Sequence, residues 1–243
     1  MKLLLMMKIR QRRIKMKKNN ELILFEIEKL KVKFPDKPEL LEEKDAKNIQ
    51  NAINKKGFYD SNGRCYLEKT AIRTIICTDS KGANRFYNDL EDNDKIENGK
   101  NHYVRIEAVQ YEISKRSQEP RDIYVRERMK YAEDCIIDFR DSPQLSKMRS
   151  IEKSKIDKEL PNIKKKKIKT EGLTCCELTG EPLEKNSAAH HMDRKSDVPR
   201  KALDEENIKI VNPGVHKTIH QAGAESKEEL AELCKENGWI KVH

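Results

Sequence analysis

The sequence predicts an α+β fold that is mainly helical. Charged residues make up 38% of the 243 residues and aromatic residues only 5%, so most helices must be largely solvated around modest cores. A chain of this length can form one large domain or two small ones, and its low apolar content favours two. Short alternating segments flanked by Asn-Gly turns indicate a few strands.

The N-terminal region, 1–56, is predicted to consist of a basic segment and helices. Apolar positions over 21–34 fit a helix at first and then alternate, so the segment is consistent with either a helix or a strand. Residues 39–56 are expected to form a helix that stops at Gly57.

The region 57–118 has the element order of a winged helix-turn-helix. The expected elements are, in order, a turn at Asn62-Gly63, helices over 68–77 and 80–91, a turn at Gly99 and a strand over 102–106. This order is similar to that of the DNA-binding part of some plasmid-replication initiators and phage regulators.

In that interpretation the helix 80–91 enters a DNA groove. It would present four polar side chains to the bases and phosphates, Lys81, Asn84, Arg85 and Asn88. The alternative interpretation of 57–118 is a small helical domain that only packs.

The region 119–170 is predicted to be a helical connector that ends in a basic linker. Pro120 and Pro143 suit the first position of a helix, which predicts helices over 121–139 and 143–160. The linker is expected to bind DNA through four consecutive lysines, Lys164, Lys165, Lys166 and Lys167.

The net charge of +9 is concentrated in two short segments, 1–18 and 161–170, because the rest of the chain contributes no positive excess. Clustered cations bind polyanions by releasing counterions, so DNA, and double-stranded DNA in particular, is the predicted partner. A solvated tail and a solvated linker are the alternative interpretation.

The last region, 171–243, contains most of the histidines. Of the six in the chain, four lie between positions 190 and 220. Residues 188–191 and 208–211 are expected to pair as strands, and Asn212-Pro213 is expected to begin a helix. His216 and His220 are four residues apart and would therefore project from one face of that helix. Two such imidazoles, with a third ligand from a facing strand, predict a metal site.

The segment 176–223 resembles the HNH endonucleases, also called ββα-metal or His-Me finger nucleases, in the type, order and spacing of these residues. The resemblance implies that one divalent metal ion is bound by three ligands, His190, His216 and His220. It also implies that His191 is the general base and that Asn207 orients this base and braces the loop.

The segment departs from the family pattern in one respect. Many HNH proteins frame the site with two C-x-x-C pairs that bind structural zinc, and the sequence contains no such pair. Cys176 stands where the first pair would begin, so Thr179-Gly180 is expected only to turn a hairpin. Asn212 is the alternative to Asn207 as the bracing residue.

The resemblance implies a metal-dependent DNA endonuclease from a restriction, phage or mobile-element setting. The cysteines, which fit free thiols in a reducing compartment, predict a cytoplasmic protein. Mg²⁺ is the expected metal in the cell, with Zn²⁺, Ni²⁺ or Mn²⁺ as alternatives. Six cysteines without a C-x-x-C pair predict free thiols, and no apolar run is long enough for a membrane span. The sequence leaves open whether the protein is a homodimer.

Two other functions are consistent with the sequence. One is a DNA-binding regulator with an inactive HNH finger. The other is a nuclease toxin with relaxed specificity for nucleic acid, which would normally be accompanied by an immunity partner.

Overall fold

The computed structural model describes residues 22–239, so the predicted basic segment 1–18 lies outside the described residues. The fold is α+β and mainly helical, as the sequence predicts. The chain divides into two compact units, Met1–Ile151 and Glu152–His243. The predicted connector 119–170 therefore contributes to both units and does not form one of its own.

The first unit contains one antiparallel sheet. Its strands are β1 (Phe25–Glu26), β2 (Gly57–Tyr59), β3 (Cys65–Glu68), β4 (Lys95–Asn98) and β5 (Asn101–Arg105). They lie side by side in the order β1-β2-β3-β5-β4. The segment that the sequence left open forms β1 and a 3-10 helix, Ile27–Leu30, whose two end residues are buried in the core.

Both predicted turns of this sheet are confirmed. Asn62-Gly63 lies between β2 and β3, and Gly99 lies between β4 and β5. Gly63 has a φ of +77°, and a Cβ there would lie 2.7 Å from the carbonyl oxygen of Leu145. This turn requires glycine because both the positive φ and the close backbone disfavour any side chain.

The helices of the first unit surround the sheet. They are α1 (Glu43–Lys56), α2 (Ile72–Ile75), α3 (Ser80–Asp89), α4 (Ile106–Ser117), α5 (Ile123–Arg140) and the start of α6 (Pro143–Glu159). Buried residues of α1, α2, α4 and α5 pack with those of β3 and β5 in one core, among them Ile49, Ile53, Leu67, Ile72, Ile75, Val104, Ile113 and Phe139.

Two helix starts differ from the sequence prediction, and one helix was not predicted. The helix expected from residue 39 begins at Glu43. The helix expected to start at Pro120 begins after Asp122, because the Asp122 carboxylate accepts hydrogen bonds from the backbone N–H groups of Tyr124 and Val125. Helix α4 was not predicted, although the spacing of Ile106, Val109 and Ile113 suits a buried helical face.

The second unit combines short helices with a two-stranded sheet. Its further elements are α7 (Ile163–Glu171), β6 (Ala188–His191), β7 (Ile208–Val211), α8 (Pro213–Ala222) and α9 (Lys227–Glu236). Within residues 22–239, every helix is too short or too polar to cross a bilayer. Helix α9 begins with a capping box, in which Ser226 and Glu229 exchange side-chain-to-backbone hydrogen bonds.

The predicted basic linker is wrong as a description of structure. Residues 163–171 form α7, which ends at Gly172 in a left-handed conformation with φ of +62°. Ile163 is buried in a cluster with Ile208 and Ile210 of β7, which makes α7 part of the second unit.

Candidate metal centre

The candidate site is built on a hairpin followed by a helix. Strands β6 and β7 pair antiparallel, with His190 opposite Lys209 and His191 opposite Ile208. Pro213 is the first residue of α8. Proline lacks a backbone N–H, and this costs nothing at the first position because an N–H there has no partner within the helix. Val215 and Ile219 turn one side of α8 into the core, so His216 and His220 lie on its more exposed side.

Three imidazoles converge between β6 and α8. Each of His190, His216 and His220 offers one ring nitrogen, and these nitrogens all lie within 4.8 Å of one another. The Nε2 atoms of His216 and His220 are 3.2 Å apart, and the ring of His190 lies 5.6 and 5.8 Å from theirs. The structure thus brings together the three predicted ligands, from positions up to 30 residues apart in the sequence.

His190 shows why this arrangement suits a cation. The residue is 6% exposed, and its Nε2 is buried with no hydrogen-bond partner among the described residues. Burial, and then the neighbouring His216 and His220, lower the pKa of His190 to about 4. The imidazole is therefore neutral at pH 7, and a neutral imidazole has one ring nitrogen with an unshared electron pair, so the three histidines form a donor set that fits a divalent cation.

His216 shares this behaviour. Burial, and then the charge of His220, lower its pKa below the ordinary histidine value. Nitrogen donors of this kind favour Zn²⁺, Ni²⁺ or Mn²⁺ over purely oxygen-binding cations. His190 and His216 could therefore bind a metal ion without first losing a proton at neutral pH.

The depressed pKa of His190 predicts a stability loss in acid for the metal-free protein. When the pKa of a histidine is lower in the folded than in the unfolded protein, its contribution to the free energy of unfolding is fully present above pH 6.5, the ordinary histidine pKa. For His190 this contribution is lost as the pH falls toward about 4. We expect the second unit to lose about 2 kcal/mol over this interval. This loss is measured by urea unfolding in EDTA, followed by the fluorescence of Trp239. Trp239 is the single tryptophan and packs on the core of this unit.

The matched variant for this prediction is His190→Gln, which keeps a polar side chain but does not titrate. Its unfolding free energy should fall less steeply between pH 6.5 and 4 than that of the parent. Parallel pH profiles for the two proteins would contradict the lowered pKa.

His191 follows His190 on β6 but has a separate environment. Successive strand residues point to opposite faces, so the two imidazoles do not share one set of neighbours. His191 is half-buried, and its Nε2 lies 2.9 Å from the carbonyl oxygen of Ala202. Because a carbonyl only accepts, Nε2 carries the proton of the neutral ring, and Nδ1 is left with an unshared pair. That is the protonation state that a general base requires.

Asn207 is buried and braces the loop between β6 and β7. Its Oδ1 accepts a hydrogen bond from the Asp193 N–H at 2.8 Å, and its Nδ2 donates to the carbonyls of Asp193 and Lys201 at 3.0 and 3.3 Å. No hydrogen bond links Asn207 to His191 among the described residues, so the part of the prediction in which Asn207 orients the base directly is not seen. Asn207 and His191 are linked only indirectly. Asn207 bonds the carbonyl of Lys201, and the carbonyl of the next residue, Ala202, binds His191.

Asn212 braces a different loop. It precedes α8 but makes no side-chain cap, and it instead accepts from the Glu184 N–H and donates to the carbonyl of Pro182. This loop follows the tight turn at Thr179-Gly180, where Gly180 has a φ of +76° and its N–H bonds the carbonyl of Cys176. The expected hairpin turn is therefore present.

The four predicted DNA-binding lysines of α7 do not form one basic surface. Lys167 is 2% exposed, and its ammonium donates to the carbonyls of Glu205 and Ile208 and pairs with Glu177. Lys164 donates to the carbonyl of Ser187, and Lys166 pairs with Glu205 at 3.3 Å. The prediction is wrong for Lys167, which cannot reach a phosphate while it is buried. Lys165 is exposed.

The predicted residues of α3 are placed as expected on that helix. Lys81, Asn84, Arg85 and Asn88 are all exposed, whereas Ala83 and Tyr87 face the core. Their exposure follows from the helical period, which separates the two sets of positions onto opposite sides.

A cavity of about 400 Å³ opens beside the imidazoles and includes residues that sequence reasoning missed. Besides the four histidines, it is lined by Ala189, Arg194, Lys195, Ser196, Ala224 and Glu225. The basic pair Arg194-Lys195, three residues beyond His191, is the sequence signal that could have pointed to this wall. Glu225 carries no such local signal.

The chain was compared with known proteins at three levels. No family model, no curated protein and no solved structure matches it.

Proposed function

We propose that this protein is a metal-dependent DNA endonuclease of the HNH type, with its nuclease site in the second unit. One observation carries the proposal: His191, whose Nε2 lies against the carbonyl oxygen of Ala202, directly follows His190, a member of the three-imidazole cluster, on β6. Phosphodiester hydrolysis needs a base for the attacking water and a group that compensates the negative charge of the phosphate. In this proposal His191 is the base, and a metal ion held by the imidazole cluster would compensate the charge.

In this proposal His191 accepts the proton of the attacking water at Nδ1. The imidazolium that forms is stabilised because Nε2 donates to the carbonyl oxygen of Ala202. Asn207 holds the preceding residue, Lys201, and thereby fixes the position of that carbonyl. His191 is thus the catalytic residue, and Asn207 is a positioning residue that acts through the loop.

His190, His216 and His220 would hold the divalent metal ion. When bound, it supplies a Lewis acid for the charge of the scissile phosphate and the leaving oxygen. In this proposal the metal ligand His190 and the base His191 are neighbours on β6, and the pairing of β6 with β7 keeps the two functions at a fixed separation. Cavity access next to the cluster is consistent with a substrate that approaches from solvent.

The first unit is proposed to supply DNA affinity as a winged helix. Residues 171–243 have 10 basic and 14 acidic side chains, so this part is poorly suited to hold DNA alone. In the first unit α2 and α3 are followed by the hairpin β4–β5, and β5 pairs with β3, which precedes the helices. This order and the exposed polar side of α3 support a helix that enters a groove beside a hairpin wing.

Plasmid cleavage tests the proposed activity. The full chain should nick or linearise supercoiled DNA with Mg²⁺, Mn²⁺, Ni²⁺ or Zn²⁺ present, should stop when EDTA is added, and should recover on metal readdition. Full activity in EDTA would contradict the metal role. DNA binding without any cleavage would favour the regulator, whereas degradation of RNA and of every DNA sequence would favour the toxin.

Substitutions on α3 test the winged helix. Arg85→Ala and Asn84→Ala should change which plasmid sequences are cut, because each base contact contributes about 1–3 kcal/mol of discrimination. Sequencing the product ends measures the change. Lys55→Ala, which removes an exposed cation of α1, is the matched control and should keep the parental pattern. Unchanged patterns in the α3 variants would favour a domain that only packs.

A further inference from the structure

An ion pair lies at the wall of the cavity beside the imidazole cluster. Arg194, in the loop after β6, reaches Glu225, which precedes α9, with Nη1 and Oε2 2.9 Å apart. The backbone N–H of Arg194 also donates to the carbonyl oxygen of Glu225, at 3.2 Å. Two contacts therefore fix this arginine to the opposite side of a cavity that His190, His191, His216 and His220 also line.

The charges of the cavity favour an anionic ligand. Arg194 and Lys195 are cations, and Glu225 is the single carboxylate in the lining. If Glu225 releases Arg194, the lining offers two cations to an anion in the cavity. A guanidinium presents paired donors that match two oxygens of one phosphate.

The ion pair is easily exchanged for another one. The side chains of Arg194 and Glu225 are 53% and 56% exposed, and solvent screening makes such exposed pairs weak. An incoming phosphate would replace one carboxylate partner of Arg194 with another oxyanion, so little interaction energy is lost in the exchange. The backbone contact between the two residues can persist while the side chain turns.

We propose that Arg194 is the phosphate-binding residue of this cavity, held by Glu225 until a phosphodiester anion displaces the carboxylate. The identification of that anion as DNA rests on the proposed function, whereas the binding of a phosphodiester does not. Glu225 is a positioning residue that keeps the guanidinium at the cavity wall and weakens the binding of anions that cannot displace it.

The first test measures binding in EDTA with dimethyl phosphate, a phosphodiester that has no base or groove to contact. In the full chain, its titration should shift the NMR signals of the Arg194 Nε–H and of the loop amides 193–202. Arg194→Ala should weaken affinity about tenfold, the lower end expected for a charge-assisted hydrogen-bonded pair. Glu225→Gln, which removes the competing charge but keeps the side-chain shape, should strengthen affinity at least twofold.

The matched control is Lys185→Ala, which removes an exposed cation of the same unit that does not line the cavity. It should stay within twofold of the parent, about the size of a long-range charge effect. Equal affinities of parent and Arg194→Ala, or equal losses in Arg194→Ala and Lys185→Ala, would overturn the assignment. The spectrum of each variant shows whether it is folded, and Arg194→Lys provides a second variant if Arg194→Ala is not.

The second test measures hydrolysis of bis(p-nitrophenyl) phosphate with a divalent ion. Arg194→Ala should raise KM about as much as it weakens dimethyl phosphate binding, whereas Lys185→Ala should leave KM unchanged. Binding that depends on Arg194, without hydrolysis of this ester or of plasmid, would refute the proposed nuclease function and keep the phosphodiester site. Hydrolysis with a KM that is insensitive to Arg194→Ala would refute the phosphate-binding role and keep the nuclease.

Discussion

Replacing His191 by alanine is expected to lower DNA cleavage by about 10²–10⁴-fold, the usual contribution of a general base. Metal affinity should not change, because His191 lies outside the three-imidazole cluster and binds the carbonyl of Ala202. Plasmid cleavage rates and calorimetric titration with Mn²⁺ or Zn²⁺ measure the two quantities on the same protein.

The matched variants are His216→Ala and His220→Ala. Each removes one ring nitrogen from the cluster, so metal affinity should fall and excess metal should partly restore the cleavage rate. If His191→Ala lost metal binding while His190→Ala kept it, the two roles proposed for the adjacent histidines would be reversed.

Replacing Lys167 by methionine is expected to destabilise the second unit by about 3 kcal/mol, because the carbonyls of Glu205 and Ile208 lose their buried donor and Glu177 keeps only Lys209 as a cationic partner. The ammonium of Lys167 pairs with Glu177 at 3.1 Å and donates to the carbonyls of Glu205 and Ile208, on either side of Asn207. Glu177 also accepts the backbone N–H of Ile210, at 2.6 Å, so the loss reaches β7. Urea unfolding followed by Trp239 fluorescence measures it.

Lys165→Met is the matched control, since it removes the same charge from an exposed position of the same helix. We expect its effect on stability to lie within about 0.5 kcal/mol. For DNA affinity we expect the opposite order, with a larger loss in Lys165→Met than in Lys167→Met, because only an exposed lysine can contact phosphates. Equal stabilities of the two variants would contradict the buried ion pair.

Features that depend on neighbouring residues were predictable from the sequence. The four-residue spacing of His216 and His220 fixes their common helix face, and Asn62-Gly63 specifies a turn because glycine alone tolerates the backbone that it requires. The strand 208–211 and the helix start at Asn212-Pro213 were likewise correct, because alternating apolar residues and N-terminal proline act locally.

The fate of the lysine run in α7 was decided by tertiary structure. Four consecutive lysines look equivalent in the sequence, and their composition favoured a solvated linker. On a helix they point in different directions, and Lys167 meets Glu177, Glu205 and Ile208, which lie 10 to 41 residues away. No local pattern specifies which lysine will be buried, because its partners come from other segments.

The sequence by itself determined the α+β, mainly helical class and the residue types at the histidine site. Only the tertiary structure decided that the Ala202 carbonyl fixes the tautomer of His191 and that Arg194 meets Glu225, 31 residues later. The physical reason is range: backbone propensity and helical period act over a few residues, whereas burial and hydrogen-bond partners depend on which segments the folded chain brings together.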